Sequence, residues 1–247
     1  MNAIVTVVVP SLNQGIYLER ALASIFDQEV PVEVFVMDGG SKDLSITVLR
    51  KWEKHLAGWR SRPDGGQSAA INEGIKTGTA PFVCWLNSDD WFLNNGLKVL
   101  LDHISIKSDL PAVYGRSWNF VDHSKRQYPV WVEPFSIHRL SQRCIISQPA
   151  TLIRRTAWEA VGGLNEKLKM AMDYDLWWRL YHTFGALDFV DHYIAVNRIH
   201  SGTKTNRFRR QHYREAIEVV RRHNKKVPMR WWLMQPYSVW FKSLLRS

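Results

Sequence analysis

Several short stretches of the sequence carry residues able to do chemistry. The apolar run Phe82 to Leu86 stops and delivers Asn87, Ser88, Asp89 and Asp90. Adjacent carboxylates repel each other, and Asp is a poor strand former, so the pair is costly unless a cation cancels its charge. Hard divalent cations prefer oxygen ligands and bring substrate phosphates with them. The plain alternative is a solvated Asp-Asp turn. Asp38 closes the run "VEVFVMD", where it can serve a ligand or an Asx-turn in the Gly-rich stretch after it. Pro10, Ser11 and Asn13 follow the run that starts at Ile4. In "MAMDYDLWW", Asp173 shares a helical stripe with Leu176, Trp177 and Leu180, while Asp175 points elsewhere. Partial desolvation there would raise the pKa of Asp173, whereas a place in the first helical turn would lower it. "RIHSGTKT" sets His200 between Arg198 and Lys204.

Positioning these groups requires a particular set of elements. Residues 4–10 and 32–38, then "GWRSR" and "FVCWL", read as strands. Between them Leu18, Ala21, Leu22 and Ile25 follow helical spacing, as do Ile46, Leu49 and Trp52, with Ser41 a candidate cap. "DGGQSAAINEGIKTG" reads as a loop and a helix ended by Gly78. Leu97, Leu100, Leu101 and Ile104 mark another helix. This alternation predicts an α/β fold with a mostly parallel sheet covered on both faces. Ligands of such sheets bind beyond the carboxyl ends of the strands, which is where Ser11, Asp38, Asp89 and Asp90 fall. Further on, "AVYGRSWNFVD" and "KRQYPVW" suggest a hairpin and "SQPATLIRR" a strand. "RTAWEAVGGLNE" reads as a short helix ended by Gly162 and Gly163. A helix follows over "DYDLWWRLYHTFG", with Leu176, Trp177, Leu180 and Phe184 on one face, and strand-like runs follow over "ALDFVDHYIAVNRIH".

Bulk properties narrow the classes. A chain of 247 residues with 45% hydrophobic residues can bury a full core. A net charge of +10 favours an anionic partner. Cys84 and Cys144 form no CxxC, so a reducing compartment is expected. "MNAIVTVVVPSLNQG" reads as a first strand rather than a signal peptide, and no apolar run is long enough to span a bilayer. Of the tryptophans, Trp91, Trp231, Trp232 and Trp240 sit where core packing is not the obvious role.

Taken together, "VVVPSLNQGIYLERALASIFDQ", "VEVFVMDGGSKD", "RPDGGQSAAINEGIKTGTAPFVCWLNSDDWF" and "SQPATLIRRTAWEAVGGLNEKLKMAMDYDLWWRL" resemble family 2 of the nucleotide-sugar glycosyltransferases, over residues 4 to about 203. The resemblance implies a GT-A (Rossmann-like) fold: a mixed, mostly parallel sheet flanked by helices. It also implies an inverting, metal-dependent transfer from a nucleotide-diphosphate sugar, UDP-linked, to a hydroxyl of a glycan or lipid-linked glycan in cell-surface polysaccharide assembly. Pro10, Ser11 and Asn13 would line the nucleotide pocket, and Asp38 would meet the base. Arg62 and Asp64 would sit near base or ribose. Asp89 would contact the ribose, and with Asp90 and His200 would hold Mn²⁺ or Mg²⁺ on the diphosphate. Asp173 would be the base. Asn87 stands where many members carry Asp, and Met172 where the family often has Glu. "VGGLNE" would let backbone approach a sugar, or would simply cap a helix.

Residues 1–210 are expected to form the glycosyltransferase domain, and 211–247 a basic, Trp-rich helical C-terminal extension. Tyr213, Ala216, Ile217 and Val220 line one side of its first helix. Beyond Pro236, Tyr237, Trp240, Phe241, Leu244 and Leu245 repeat at helical spacing opposite Lys242 and Arg246. Such a stripe fits core, a homodimer seam or lipid. The basic side favours an anionic membrane surface, with the protein cytoplasmic and peripheral on the inner face of the plasma membrane. Two other functions compete. A nucleotidyltransferase would carry a Gly-rich triphosphate loop with Lys or Arg, and "PSLNQGIYLER" has only Gly15 and Arg20 there. A nucleic-acid binder finds no RNP, zinc-finger or basic-zipper signature, so no nucleic-acid partner is expected.

Overall fold

A computed structural model describes residues 2–237 and 239. The first part of the chain alternates β1 (Val5–Ser11), α1 (Gly15–Phe26), β2 (Val32–Asp38), α2 (Ser45–Trp52), β3 (Gly58–Ser61), α3 (Gln67–Thr77) and β4 (Phe82–Trp85). There follow β5 (Trp91–Phe92), α4 (Gly96–Ile106), β6 (Ala112–Val121), β7 (Arg126–Pro129) and α5 (Ile137–Gln142). After a 3₁₀ turn over Gln148–Ala150 come β8 (Thr151–Arg154), α6 (Arg155–Ala160), α7 (Met172–Phe184) and β9 (Asp188–Ile199). The helices α8 (Lys204–Arg207), α9 (Arg209–Asn224) and α10 (Met229–Pro236) complete the described chain.

Every residue of β1 is buried, as expected of a strand with helices on both faces. Side chains alternate across it. Val5, Val7 and Val9 face Leu18, Leu22 and Ile25 of α1 and Leu97 and Leu100 of α4. Val8 faces the opposite core, with Ile71 and Ile75 of α3, Trp177 of α7 and Val220 of α9. Helix α3 lies so close that a Cβ on Gly74 would come within 2.6 Å of Val8, so only glycine fits there.

The sheet order is β3-β2-β1-β4-β8-β6-β9-β5, with β7 hairpinned onto β6. The strands β3, β2, β1 and β4 run parallel. The strand β8 is antiparallel to both β4 and β6, and β6 and β9 are parallel. This is the mixed α/β sheet that the resemblance implied. The register brings Ser11 beside Asp38 and Asp38 beside Ser61. It likewise ends β6 and β9 together at Val121 and Ile199.

Some local expectations change. Ser41 does not cap α2; it binds Asp38, while Asp43 accepts from the Ser45 amide and hydroxyl. Phe184 is exposed, because α7 runs past the edge of the core there. Trp91 and Trp231 are core residues. The guanidinium of Arg20 lies 3.7 Å from the Trp91 ring, and that of Arg198 4.8 Å. The boundary drawn at residue 210 falls at the start of α9, whose Tyr213, Ala216, Ile217 and Val220 pack into the core. Trp240, Phe241, Leu244 and Leu245, with Lys242 and Arg246, lie outside the described residues.

Candidate active site

The tips of the first three strands form one wall. Asp38 is fully buried. Its Oδ2 accepts from the Gly40 and Ser41 amides at 3.0 and 2.8 Å and from the Ser61 hydroxyl at 2.6 Å, and its Oδ1 accepts from the Ser41 hydroxyl. The carboxylate thus holds its own loop in an Asx-turn, one of the two roles open to it from sequence. Asn13 completes the wall from β1: its Oδ1 accepts from the Lys42 amide at 2.9 Å, and its own amide donates to Ser41 Oγ at 2.7 Å. Pro10 is buried, and Ser11 Oγ is buried with no hydrogen-bond partner. Buried polar atoms are nearly always satisfied, so this hydroxyl at the tip of β1 is an exception.

Arg62 and Asp64 meet around Arg60 and Glu73, two residues the sequence did not single out. The Arg60 guanidinium donates to Asp38 O at 2.6 Å, Asp64 Oδ2 at 3.0 Å and Glu73 Oε2 at 2.7 Å. Arg62 donates to Glu73 Oε1 at 2.8 Å, with most of its side chain exposed. Arg60 alternates with Trp59 on a short edge strand, and a half-buried arginine with two carboxylates has no local sequence signal.

Asp89 and Asp90 diverge. Asp90 is buried; its Oδ1 accepts from the Arg198 amide at 2.9 Å and its Oδ2 from Asn87 Nδ2 at 2.9 Å. Burial, and then the charge of Asp89, hold its carboxyl well above the usual range. Asp89 retains 17% side-chain exposure, and its Oδ2 lies 3.0 Å from His200 Nε2. The Gly202 amide donates to His200 Nδ1 at 3.2 Å, so in this arrangement Nε2 carries the hydrogen and donates to Asp89. Arg198 does not face a ligand beside His200, as its position in sequence suggested. Its guanidinium is buried among Tyr17, Trp91 and Phe120 and donates to Asp122 Oδ1 at 2.9 Å and Asp89 O at 3.0 Å. Among the described residues, no group of three or more His, Cys, Asp or Glu is placed to hold a metal.

Asp173 stands in the first turn of α7. Burial raises its pKa, against the lowering effects of the Tyr174 amide bonded to it at 2.8 Å and of nearby His212. Desolvation therefore outweighs the helix terminus. The approach to α7 is held by Glu215 of α9, whose Oε2 accepts from the amides of Lys169, Met170 and Ala171 at 3.0, 2.7 and 3.2 Å. Gln67 bridges the loops: its Nε2 donates to Asn87 Oδ1 at 2.7 Å, and its Oε1 accepts from Lys204 at 2.9 Å. Lys169 donates to Gly65 O at 3.1 Å. The structure thus pairs Asp89 with His200, while Asp90, next to Asp89 in the chain, turns to Asn87 and the Arg198 amide. It joins Pro10, Ser11, Asn13 and Asp38 in a second group and Arg62 with Asp64 in a third. Asp173 stands apart with His212 on the α7–α9 side. "VGGLNE" caps α6 and packs on α3, where Asn72 bonds both the amide and the carbonyl of Leu164. A cavity of about 1020 Å³ opens on the hairpin side of His200, lined by Tyr17, Asp122, Tyr128 and Arg209.

The family model described as Glycosyl transferase family 2 matches residues 6–162. An uncharacterized glycosyltransferase of Rickettsia prowazekii is 23% identical over 83% of the chain and 67% of its own length. Chondroitin synthase of Pasteurella multocida is 26% identical over 82% of the chain, which spans only 21% of that protein. Among solved structures, S. aureus TarS 1–349 in complex with UDP-GlcNAc superposes with a TM-score of 0.72 at 19% identity, over 90% of this chain and 66% of that one. The mannosyltransferase PcManGT from Pyrobaculum calidifontis, in complex with GDP-Man and Mn²⁺, gives 0.67 at 20% identity over 93% and 67%. These likenesses show the fold to be GT-A.

Proposed function

The chain belongs to glycosyl transferase family 2, and on that premise we propose that it moves a sugar from a UDP-linked donor to a hydroxyl of a glycan or lipid-linked glycan, with inversion and with Mn²⁺ or Mg²⁺. The pairing of Asp89 with His200 across 3.0 Å carries this reading. Two ligands at about 2.1 Å on adjacent corners of an octahedral cation stand roughly 3 Å apart, and the carboxylate suits Mg²⁺ or Mn²⁺. The residues present therefore fit a cation held by two protein groups, with donor phosphates and water supplying the rest. When bound, the cation would neutralise charge on the departing diphosphate.

The chain's own residues have separable tasks. Asp89 and His200 would hold the cation, the imidazole serving through its Nε2 with the proton on Nδ1. Asp90, enclosed, ties the strand-end loop to β9. Ser11, Asn13, Pro10 and the loop shaped by Asp38 line the nucleoside pocket, with Arg62 and Asp64 at its rim. Asp173 accepts the proton of the attacking hydroxyl, helped by a pKa raised toward the working range. At the other end, Met229, Trp232, Leu233 and Tyr237 are exposed beside Arg230, Lys225 and Lys226, which suits an anionic membrane face on the cytoplasmic side. Among the described residues, no helix is long and apolar enough to cross a membrane.

A donor panel tests the transfer. UDP, GDP and dTDP release is measured from a range of nucleotide sugars, with Mn²⁺ and with chelator. Release from a UDP-sugar that chelator abolishes is expected. Silence with every donor, or release indifferent to chelator, overturns the reading.

A further inference from the structure

Arg198 bonds both residues of the acidic pair. It is buried in β9, two residues before His200. Its amide donates to Asp90 Oδ1 at 2.9 Å, its Nε to Asp89 O at 3.0 Å and its Nη1 to Asp122 Oδ1 at 2.9 Å. Asp122 directly follows β6, and its amide donates to Ile199 O at 2.9 Å, which sets it beside the residue before His200. Its other oxygen, Oδ2, accepts from the Tyr17 hydroxyl of α1 at 3.2 Å. The Tyr17 ring in turn lies 4.7 Å from the His200 imidazole, centroid to centroid, tilted by 47°. Lys125, mostly exposed, adds only a contact to Asp122 at 3.4 Å. One carboxylate thus reaches Asp89 through Arg198 and His200 through Tyr17.

Packing alone does not call for these groups. The Arg198 guanidinium lies 4.7, 4.8 and 5.8 Å from the rings of Tyr17, Trp91 and Phe120. An apolar side chain would fill that nest as well, since a buried ion pair seldom stabilises a fold more than packed apolar groups do. It could not bond Asp89 O and Asp122 together, which takes the directed donors of a rigid guanidinium fork. In the same way a phenyl ring would pack beside His200, but only the hydroxyl of Tyr17 reaches Asp122. Tyr17, Asp122 and His200 also line the cavity of about 1020 Å³, so the network borders open space rather than core. Outer partners of this kind orient the groups that hold a metal, and losing one typically costs about 10–100-fold in metal affinity or activity.

We infer that Asp122, Arg198 and Tyr17 are positioning residues: Asp122 locks Arg198 onto the Asp89 carbonyl and Tyr17 against the His200 ring, and so fixes the orientation of the pair that would hold the cation. This deepens the proposed transfer and rests on it for the cation. Tyr17→Phe keeps the ring beside His200 and removes the bond to Asp122, while Asp122→Asn keeps the shape and removes the charge. Histidine ¹⁵N NMR of the metal-free protein reads the pair directly, with His200 identified by its loss in His200→Gln. Wild type is expected to show His200 as one tautomer protonated at Nε2, and both variants a shifted or broadened His200 signal. Calorimetric titration of UDP, with Mn²⁺ and with chelator, reads the cation. Asp122→Asn is expected to lose about tenfold of the affinity that Mn²⁺ adds, and to bind UDP in chelator as wild type does. A group that only stabilises the fold would move neither readout in folded protein. Unaltered His200 signals in both variants, or an unaltered gain from Mn²⁺ in Asp122→Asn, overturn the inference. A wild type with no gain from Mn²⁺ overturns the donor reading instead, and the His200 signals then decide the positioning. Should Asp122→Asn lack a cooperative melting transition, Tyr17→Phe decides on the same two readouts.

Discussion

Asp89 and Asp90 are adjacent in the chain and opposite in surroundings: one faces His200 with part of its surface open, the other is enclosed by Asn87 and the Arg198 amide. Asp89→Ala should lower kcat by roughly 10²–10³, the loss typical of removing one group that stabilises developing charge, and should abolish the response to added Mn²⁺. A variant with wild-type rates and an intact Mn²⁺ response would remove Asp89 from the site. Asp173 can be tested on two axes at once. Its folded pKa is raised, so the folded state holds the proton more tightly than the unfolded chain. Stability is therefore lost as pH rises from the unfolded value through the folded one, and at neutral pH the ionised group disfavours folding. Asp173→Asn should keep or raise the melting temperature at pH 7 while lowering kcat by roughly 10²–10⁴. A fall in melting temperature with modest rate loss would mark Asp173 as a structural cap instead.

At the scale of elements, α7 and α9 are clasped by charge as well as by apolar packing. Asp175, buried on α7, accepts from Arg179 at 2.8 Å, lies 2.9 Å from His223 Nε2, and faces Arg222 at 3.5 Å. Burial pushes its pKa up, but the bonds from His223 and Arg179 outweigh it, and the net direction is down. A depressed carboxyl stabilises the fold above its unfolded pKa, and that stability is lost as pH falls through the folded value. Asp175→Asn should cost about 1.5–3 kcal/mol at pH 7, since it removes a charged acceptor from the bonds of Arg179 and His223, and the difference from wild type should shrink in acid. Urea midpoints at pH 7 and near pH 3, below the ordinary carboxyl value, measure both; a pH-independent difference would show that packing, not charge, holds the clasp.

Over the whole molecule, the proposed membrane contact would combine the net charge of +10 with the exposed face of α10. Co-sedimentation with phosphatidylglycerol-containing vesicles should decline as salt rises from about 0.1 to about 1 M, where the Debye length falls from about 10 to about 3 Å. Trp232→Ser with Leu233→Ser should weaken it further. Binding that ignores both salt and these changes would place the attachment elsewhere.

The alternation of strands and helices, and the placing of Ser11, Asp38 and Asp89 at strand ends, were legible because local periodicity encodes which side of an element is buried. Asp38 marks where such reading stops: an acid in a Gly-rich loop suits a ligand or a turn equally, and only the folded loop shows four donors converging on it. Arg198 beside His200 reads as a cation facing a diphosphate, yet it turns inward, to Asp122 and the rings of Tyr17 and Trp91, partners supplied by elements far away in the chain. Sequence alone determined the family, the α/β layering and the residue types available for chemistry. Tertiary structure decided which of two adjacent aspartates faces out, and that His200 meets a residue 111 positions away. Those outcomes depend on the register and order of strands far apart in the chain, which no local pattern carries.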